Sequence, residues 1–340
     1  MGDDQVDIPS QIPADIQSVD EKETAVVFMD GISSLEYDFS DNQAPVRVLQ
    51  NIGLKIKNAE CWGITGQPDY AVRLLLEIMG NIRPYHGGTC VLIGRGMMRH
   101  KRVILPHVFY IGDTKMLYSH LNVLEYLMLA LAKLDSDRLS LQENLLQQLL
   151  GLGLGSMVLT PVGALTEEQK AVVCLVAASY AQGNLILFNF PDCMFDAGLS
   201  GSIAQLADII RRRDNTLVLG TGCCALIEKG CSHTAYIAGG RLLYQGTVEN
   251  LKRQYDKTLV VMRDKNIGEI RERLAPLLPG YRFVIRDGAL YIGSASPQPD
   301  ERVIYQKMAQ AGLVPDFVAR HEKTVKNAYE EIVSTYDLPE

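Results

Sequence analysis

The stretch Cys61-Trp62-Gly63-Ile64-Thr65-Gly66-Gln67-Pro68-Asp69-Tyr70-Ala71-Val72 constrains the fold more than any other part of the chain. Upstream, residues 46–58 alternate and then run apolar, the pattern of a strand entering a turn. Downstream, Ala71, Val72, Leu74, Leu75, Leu76, Ile78 and Met79 recur at helical spacing as one broad apolar face. Strand, Gly-x-x-Gly turn and helix, in that order, form the frame of a phosphate-binding loop, where backbone N–H groups and a helix N-terminus meet an anion. Such a loop closes on Gly-Lys-[Ser/Thr]: the lysine reaches the outer phosphates and the hydroxyl holds Mg²⁺. Here Pro68 stands for the glycine, Asp69 for the lysine and Tyr70 for the hydroxyl. The frame predicts a nucleotide-binding fold, and its side chains predict one that has stopped handling nucleotide.

Composition bounds the rest. The 340 residues, 47% apolar and 21% charged, suffice for one large core and a smaller second one. The formal net charge of −7 is concentrated at one end. Asp3, Asp4, Asp7, Asp15, Asp20, Glu21 and Glu23 against Lys22 give residues 1–24 a balance of −6, leaving −1 for the remainder. That balance argues against nucleic acid as a partner, and Arg211, Arg212 and Arg213 read as a solvated helix end. The seven cysteines show no disulfide framework. Cys61, Cys90 and Cys174 lie in apolar segments, where a thiol packs as a small hydrophobe, and Cys223, Cys224 and Cys231 lack a second paired set of metal ligands. A reduced cytosolic compartment fits this usage. No signal peptide is read, and Val6 occupies the position where myristoylation needs Ser or Thr. The longest charge-free stretch, 171–191, is interrupted by Gln182-Gly183-Asn184 and reads as helix, turn and buried strand, so any membrane link runs through a partner.

Taken in order, residues 1–24 contain Pro9 and Pro13 and read as a disordered acidic tail. Short strands are expected at 24–28 and 34–39, then the 46–58 strand and a helix ending near Asn81. A turn at 84–88 leads to strands at 89–93 and 103–111, followed by helices at 123–134 and 139–150. Gly151-Leu152-Gly153-Leu154-Gly155 follows a helix instead of a strand and fails as a dinucleotide fingerprint. Helix 167–181, strand 185–190, helix 203–213 and strands 216–220, 234–237 and 241–245 predict an α/β unit with a mainly parallel sheet over 25–255. Beyond Tyr255 the order is strand 258–262, helix 268–278, a hairpin about Asp287-Gly288, helix 302–310 and segment 315–319. This is a β-α-β-β-α-β pattern over 256–340, closed by a helix at 324–336.

The order and spacing of these landmarks resemble the ATP-binding-cassette (ABC) ATPases, most of all the subunits of ABC-2-type exporters that carry a small C-terminal domain. The resemblance covers residues 35–250 and implies a P-loop NTPase-like core with a helical subdomain plus a ferredoxin-like α+β appendage. Its motifs are degenerate. The Walker A position, 63–71, carries Gly63, Gly66, Pro68, Asp69 and Tyr70. One like-charge contact at ~4 Å costs about 4 kcal/mol at an effective dielectric near 20, so Asp69 is set against a phosphate. Asp113 replaces the Q-loop glutamine, and Thr166, Glu167, Glu168 and Gln169 stand at the signature motif with carboxylates for both glycines. There the cap chemistry of Thr166 outweighs anion binding. At the Walker B position, Asn189 and Phe190 replace the Mg²⁺-binding aspartate and the water-polarising glutamate, and Gly222 replaces the switch histidine. The stretch Leu117, Tyr118, His120, Leu121, Val123 and Glu125 resembles the segment that receives the transporter's coupling helix.

The resemblance implies a pseudo-ATPase, without catalytic residues, metal ligands or a working cofactor site where the family uses ATP and Mg²⁺. Its partners would be an ABC-2-type membrane permease and a second ABC ATPase subunit, as a hetero- or homodimer, on the cytoplasmic face of the plasma membrane. Two alternatives stay open: an ATPase using unorthodox residues, with Asp113 or Asp192 on the metal, and a soluble regulatory protein on the same fold.

Overall fold

The computed structural model describes residues 25–37, 46–115, 117–133, 137–180, 185–294 and 300–335; the acidic segment 1–24 lies outside them. At the centre is a six-stranded sheet in the order Arg241–Thr247, His233–Ala238, Cys61–Gln67, Thr216–Thr221, Leu185–Phe190, Val108–Ile111. Its pairs are parallel except the outer hairpin between His233–Ala238 and Arg241–Thr247. Period-two alternation sorts the inner strands between two cores. Cys61, Ile186, Phe188, Leu217 and Leu219 face the helical layer, while Trp62, Ile64, Leu187, Val218 and Ile237 face the other side. Both faces are covered, which explains why these strands read as unbroken apolar runs.

On one side lie helix Asp69–Met79 and a four-stranded antiparallel sheet, Ile52–Lys57, Ala25–Ser34, Tyr85–Leu92 and Arg95–Gly96. The other side carries Glu167–Ser179, Ala197–Arg212 and Cys224–Gly230, with Val123–Ala130 and Arg138–Gly151 forming the helical subdomain. Three sequence expectations are corrected here. Residues 46–58 are two pieces: Val46–Arg47 pairs with Glu36–Tyr37, and Ile52–Lys57 pairs with Ala25–Ser34. Asn51, at φ 53°, turns the chain between them. The expected strand at 24–28 runs on to Ser34 as Ala25–Ser34, bulged near Gly31 (φ 64°), and beyond Ser34 the described part of 34–39 forms the separate short strand Glu36–Tyr37. Residues 103–111 divide into the end of helix Met97–Ile104, a 3₁₀ turn Leu105–His107 containing Pro106, and strand Val108–Ile111.

A second antiparallel sheet follows in the order Tyr281–Arg286, Ala289–Ser294, Thr258–Arg263, Phe317–Arg320. Helices Ile267–Leu274 and Glu301–Gln310 supply its core through Ile270, Leu274, Ile304 and Met308, giving the ferredoxin-like arrangement. Asp287 and Gly288 (φ 48° and 70°) form its hairpin turn, where two positive φ angles match the strand twist. Helix Val325–Thr335 returns to the larger body: Val325, Ala328, Tyr329 and Ile332 are buried in the helical-side core. Tyr329 stacks on Tyr236 with ring centroids 4.6 Å apart, and its hydroxyl bonds Thr234.

Candidate functional site

The strand that feeds the candidate site is Cys61–Gln67, and it contains both glycines of the expected turn. A Cβ on Gly66 would stand 2.1 Å from the Ile237 carbonyl oxygen, and one on Gly63 would stand 2.7 Å from Ile227 Cγ1. Gly66 therefore admits the neighbouring strand and Gly63 the helix Cys224–Gly230 packed on the sheet. Helix Asp69–Met79 begins two residues after the strand ends, so Pro68 alone joins them. A phosphate cradle needs several successive N–H groups in a loop; a single proline, with no N–H, supplies none. The Pro68 carbonyl accepts from Ala71 N–H at 2.9 Å and closes the first turn of the helix.

Charge at this helix start is mixed. Burial first, then the Asp192 carboxylate, push the Asp69 carboxyl above its ordinary value, with Arg73 opposing them. Arg73, one turn into the helix, forms an ion pair with Asp192, which follows the Leu185–Phe190 strand. Sequence reasoning missed Arg73. Its only local signal was the i, i+4 spacing from Asp69, and its partner lies far along the chain. Tyr70 is 48% exposed.

Asn189 is fully buried, and its Nδ2 donates to the Arg73 carbonyl at 3.0 Å and to the Tyr110 hydroxyl at 2.8 Å. This amide ties three neighbouring elements together. Its Oδ1 is the one buried side-chain oxygen or nitrogen without a partner among the described residues. Phe190 is buried on the helical side, 4.8 Å from Phe188 between ring centroids. At Gly222, N–H donates to the Pro191 carbonyl at 2.9 Å, and a Cβ would approach that oxygen to 2.8 Å. Any side chain at 222, histidine included, meets this carbonyl. The buried amide turns its N–H groups to the protein and leaves Oδ1 without a partner, and the nearby guanidinium is engaged by Asp192.

The remaining residues are held in local structure. Asp113 Oδ1 accepts from Lys115 N–H at 2.8 Å in a turn. Thr166 and Gln169 form a capping box: Thr166 Oγ1 accepts from Gln169 N–H at 3.3 Å, and Gln169 Oε1 accepts from Thr166 N–H at 3.0 Å. Glu167 accepts from the Thr114 hydroxyl and pairs with Lys170 at 2.9 Å. The Thr114 hydrogen bond, then Lys170, hold its carboxyl below the ordinary range. Glu168 is half-buried in the same first turn.

Of the expected docking residues, Tyr118 and His120 are exposed, with rings edge to face at 6.3 Å, and Leu117 and Leu121 are half-buried. Val123 is fully buried and turns away from any partner. Glu125 is used inside the protein: it completes a capping box with Asn122, each accepting from the other's N–H at 2.9 Å.

No protein-family model matches the chain. Among curated proteins, the chain is 25% identical over 214 residues to the methionine import ATP-binding protein of Wolinella succinogenes, spanning 62% of this chain and 71% of that one. The corresponding protein of Geobacillus kaustophilus is 25% identical over 267 residues, 75% of this chain and 77% of that one. The glutamine transport ATP-binding protein of Escherichia coli is 23% identical over 216 residues, 62% and 90% respectively. Among solved structures, cbiO1 of Clostridium perfringens, part of an ABC transporter complex, superposes with a TM-score of 0.54 at 16% identity, covering 74% of this chain and 96% of that one. An ATP-binding subunit of an ABC transporter gives 0.53 at 17% identity, covering 68% and 93%. By the order of its strands, its helical subdomain and these likenesses, the chain has the fold of the ATP-binding domains of ABC transporters.

Proposed function

We propose that this protein is a subunit of an ABC transport assembly that keeps the cassette scaffold and does not hydrolyse ATP. The observation that carries this reading is the single residue, Pro68, between strand Cys61–Gln67 and helix Asp69–Met79, where nucleotide-handling relatives of the fold need a phosphate loop. Asn189, Phe190 and Gly222 support it, because each is fixed by a packing or hydrogen-bonding role that excludes the family's catalytic side chain. The subunit would sit beside a second cassette subunit on the inner face of a membrane permease, with Tyr118 and His120 offered to that permease. Among the described residues no helix is long and apolar enough to cross a membrane, so such an association would run through the partner. The ferredoxin-like sheet supports the ABC-2 exporter class; the curated relatives named for methionine import and glutamine transport weigh toward import.

A second reading, an ATPase working with unorthodox residues, is favoured by the relatives, which are named as ATP-binding proteins. Co-purification and turnover separate the two. Affinity capture of the tagged chain from membranes is expected to bring down a permease and an intact cassette subunit, with ATP turnover following the partner alone. Turnover by the isolated chain would overturn the proposal.

A further inference from the structure

A basic face on the four-stranded sheet takes no part in the site described above. Between Glu77 and Asp113 the chain has no carboxylate, while Arg83, Arg95, Arg99, Lys101 and Arg102 fall in that interval. Arg83 pairs with Glu77 at 3.3 Å. The other four are exposed, and among the described residues none has an ion-pair or side-chain hydrogen-bond partner. They lie on strand Arg95–Gly96 and helix Met97–Ile104. Beside them is a cavity of about 290 Å³ lined by Ile93, Arg95, Val103, Ile104 and His107. Uncompensated cations this close together repel one another and attract an anionic partner. The exposed Val103 and Leu105 give the same surface an apolar component.

The chain carries such a partner nearby. Ile93 N–H donates to the Val26 carbonyl at 2.8 Å, and Val27, Leu92 and Arg95 stand in register on three adjacent strands. Arg95 is thus about 10 Å from Val27 at the usual strand spacing. Residues 1–24, with their balance of −6, join the sheet through Ala25, at the start of the strand two places in from Arg95–Gly96. A segment of that length extends to about 80 Å, far more than is needed. Its carboxylates interleave with Ile8, Ile12 and Ile16, a mixture that matches a basic rim around an apolar cavity.

We propose that residues 1–24 dock on the basic face of residues 95–107 of the same chain, carboxylates against Arg95, Arg99, Lys101 and Arg102. Exposed charge pairs are individually weak. Tethering at Ala25 raises the effective concentration into the millimolar range, so several weak pairs suffice. Docking would cover a surface otherwise open to acidic proteins or anionic lipid.

Zero-length carbodiimide crosslinking of the full chain, read by mass spectrometry on the monomer band, tests this. Links from Lys101 to carboxylates in residues 1–24 are expected at low salt. They should disappear at 1 M NaCl, where the Debye length falls to about 3 Å, and in the double variant Arg99→Glu/Arg102→Glu, which keeps Lys101 as reporter. A variant with the seven tail carboxylates changed to their amides should gain binding to phosphatidylserine vesicles that the full chain lacks. Absence of Lys101–tail links while other exposed lysines form them would overturn the proposal. Vesicle binding by the full chain as tight as by the amide variant would also overturn it, and would assign the cations to a lipid surface.

Discussion

Asn189 donates from Nδ2 to a helix carbonyl and a tyrosine hydroxyl, roles that an ionised carboxylate cannot fill. Restoring an acid there is therefore expected to damage the fold without restoring chemistry. Asn189→Asp should lower stability by about 1–3 kcal/mol, the usual cost of a buried group left unpaired, with no gain in Mg²⁺ binding. Chemical denaturation and metal titration of the one variant read both. Gly66 makes a second test, because the Ile237 carbonyl leaves no room for a methyl group. Gly66→Ala should cost about 1–3 kcal/mol or more by overpacking, measured as a shift in the denaturation midpoint. The identities of these residues were plain in the sequence as departures from a motif. What each residue does instead was not, since Arg73 and Tyr110 reach Asn189, and Ile237 reaches Gly66, from distant segments.

Among the elements, Thr166 caps helix Glu167–Ser179, and the Glu167 bond to Thr114 joins the start of that helix to the segment after strand Val108–Ile111. Thr166→Ala is expected to cost about 1 kcal/mol, the typical worth of an N-cap, in thermal or chemical melting. Glu167 adds a pH dependence whose sign follows from its depressed carboxyl. Its contribution is complete above the ordinary 4.5 and is lost as pH falls through the lower folded value. The acid limb of the stability profile should flatten in Glu167→Gln. Elements whose apolar period was uninterrupted were legible from sequence: helix Asp69–Met79, strand Leu185–Phe190, and the hairpin about Asp287-Gly288. Residues 46–58 and 103–111 misled because an apolar run does not show where Asn51 adopts a positive φ or where Pro106 opens a 3₁₀ turn. At Cys61–Gln67 the glycines of Gly-x-x-Gly sit within a strand, Gly66 against Ile237 of the neighbouring strand and Gly63 against Ile227 of a helix, and neither approach is legible in the sequence.

For the whole molecule, the last helix and a buried polar cluster join the small sheet to the large body. Asp256, 2% exposed, lies 2.8 Å from His321 Nε2 and accepts from Thr324 N–H at 2.9 Å. Burial alone would raise its carboxyl, but His321 and the N–H groups of Thr324 and Thr258 outweigh it and hold the group below 3.8. Its contribution is therefore present above that value and disappears as pH falls through the folded one. Tyr329 anchors the returning helix, and Tyr329→Ala is expected to cost about 3–5 kcal/mol in chemical denaturation, as for other large buried aromatics. At this scale the fold was legible because the order and spacing of strands and helices carry it. The return of helix Val325–Thr335 to the large core was not, since its apolar face fits either body equally well on paper. The central proposal is that the scaffold is kept without a working phosphate cradle. Equilibrium dialysis of the full chain against labelled Mg-ATP tests it most directly: no saturable binding is expected up to millimolar nucleotide, and saturable binding at micromolar concentration would contradict it.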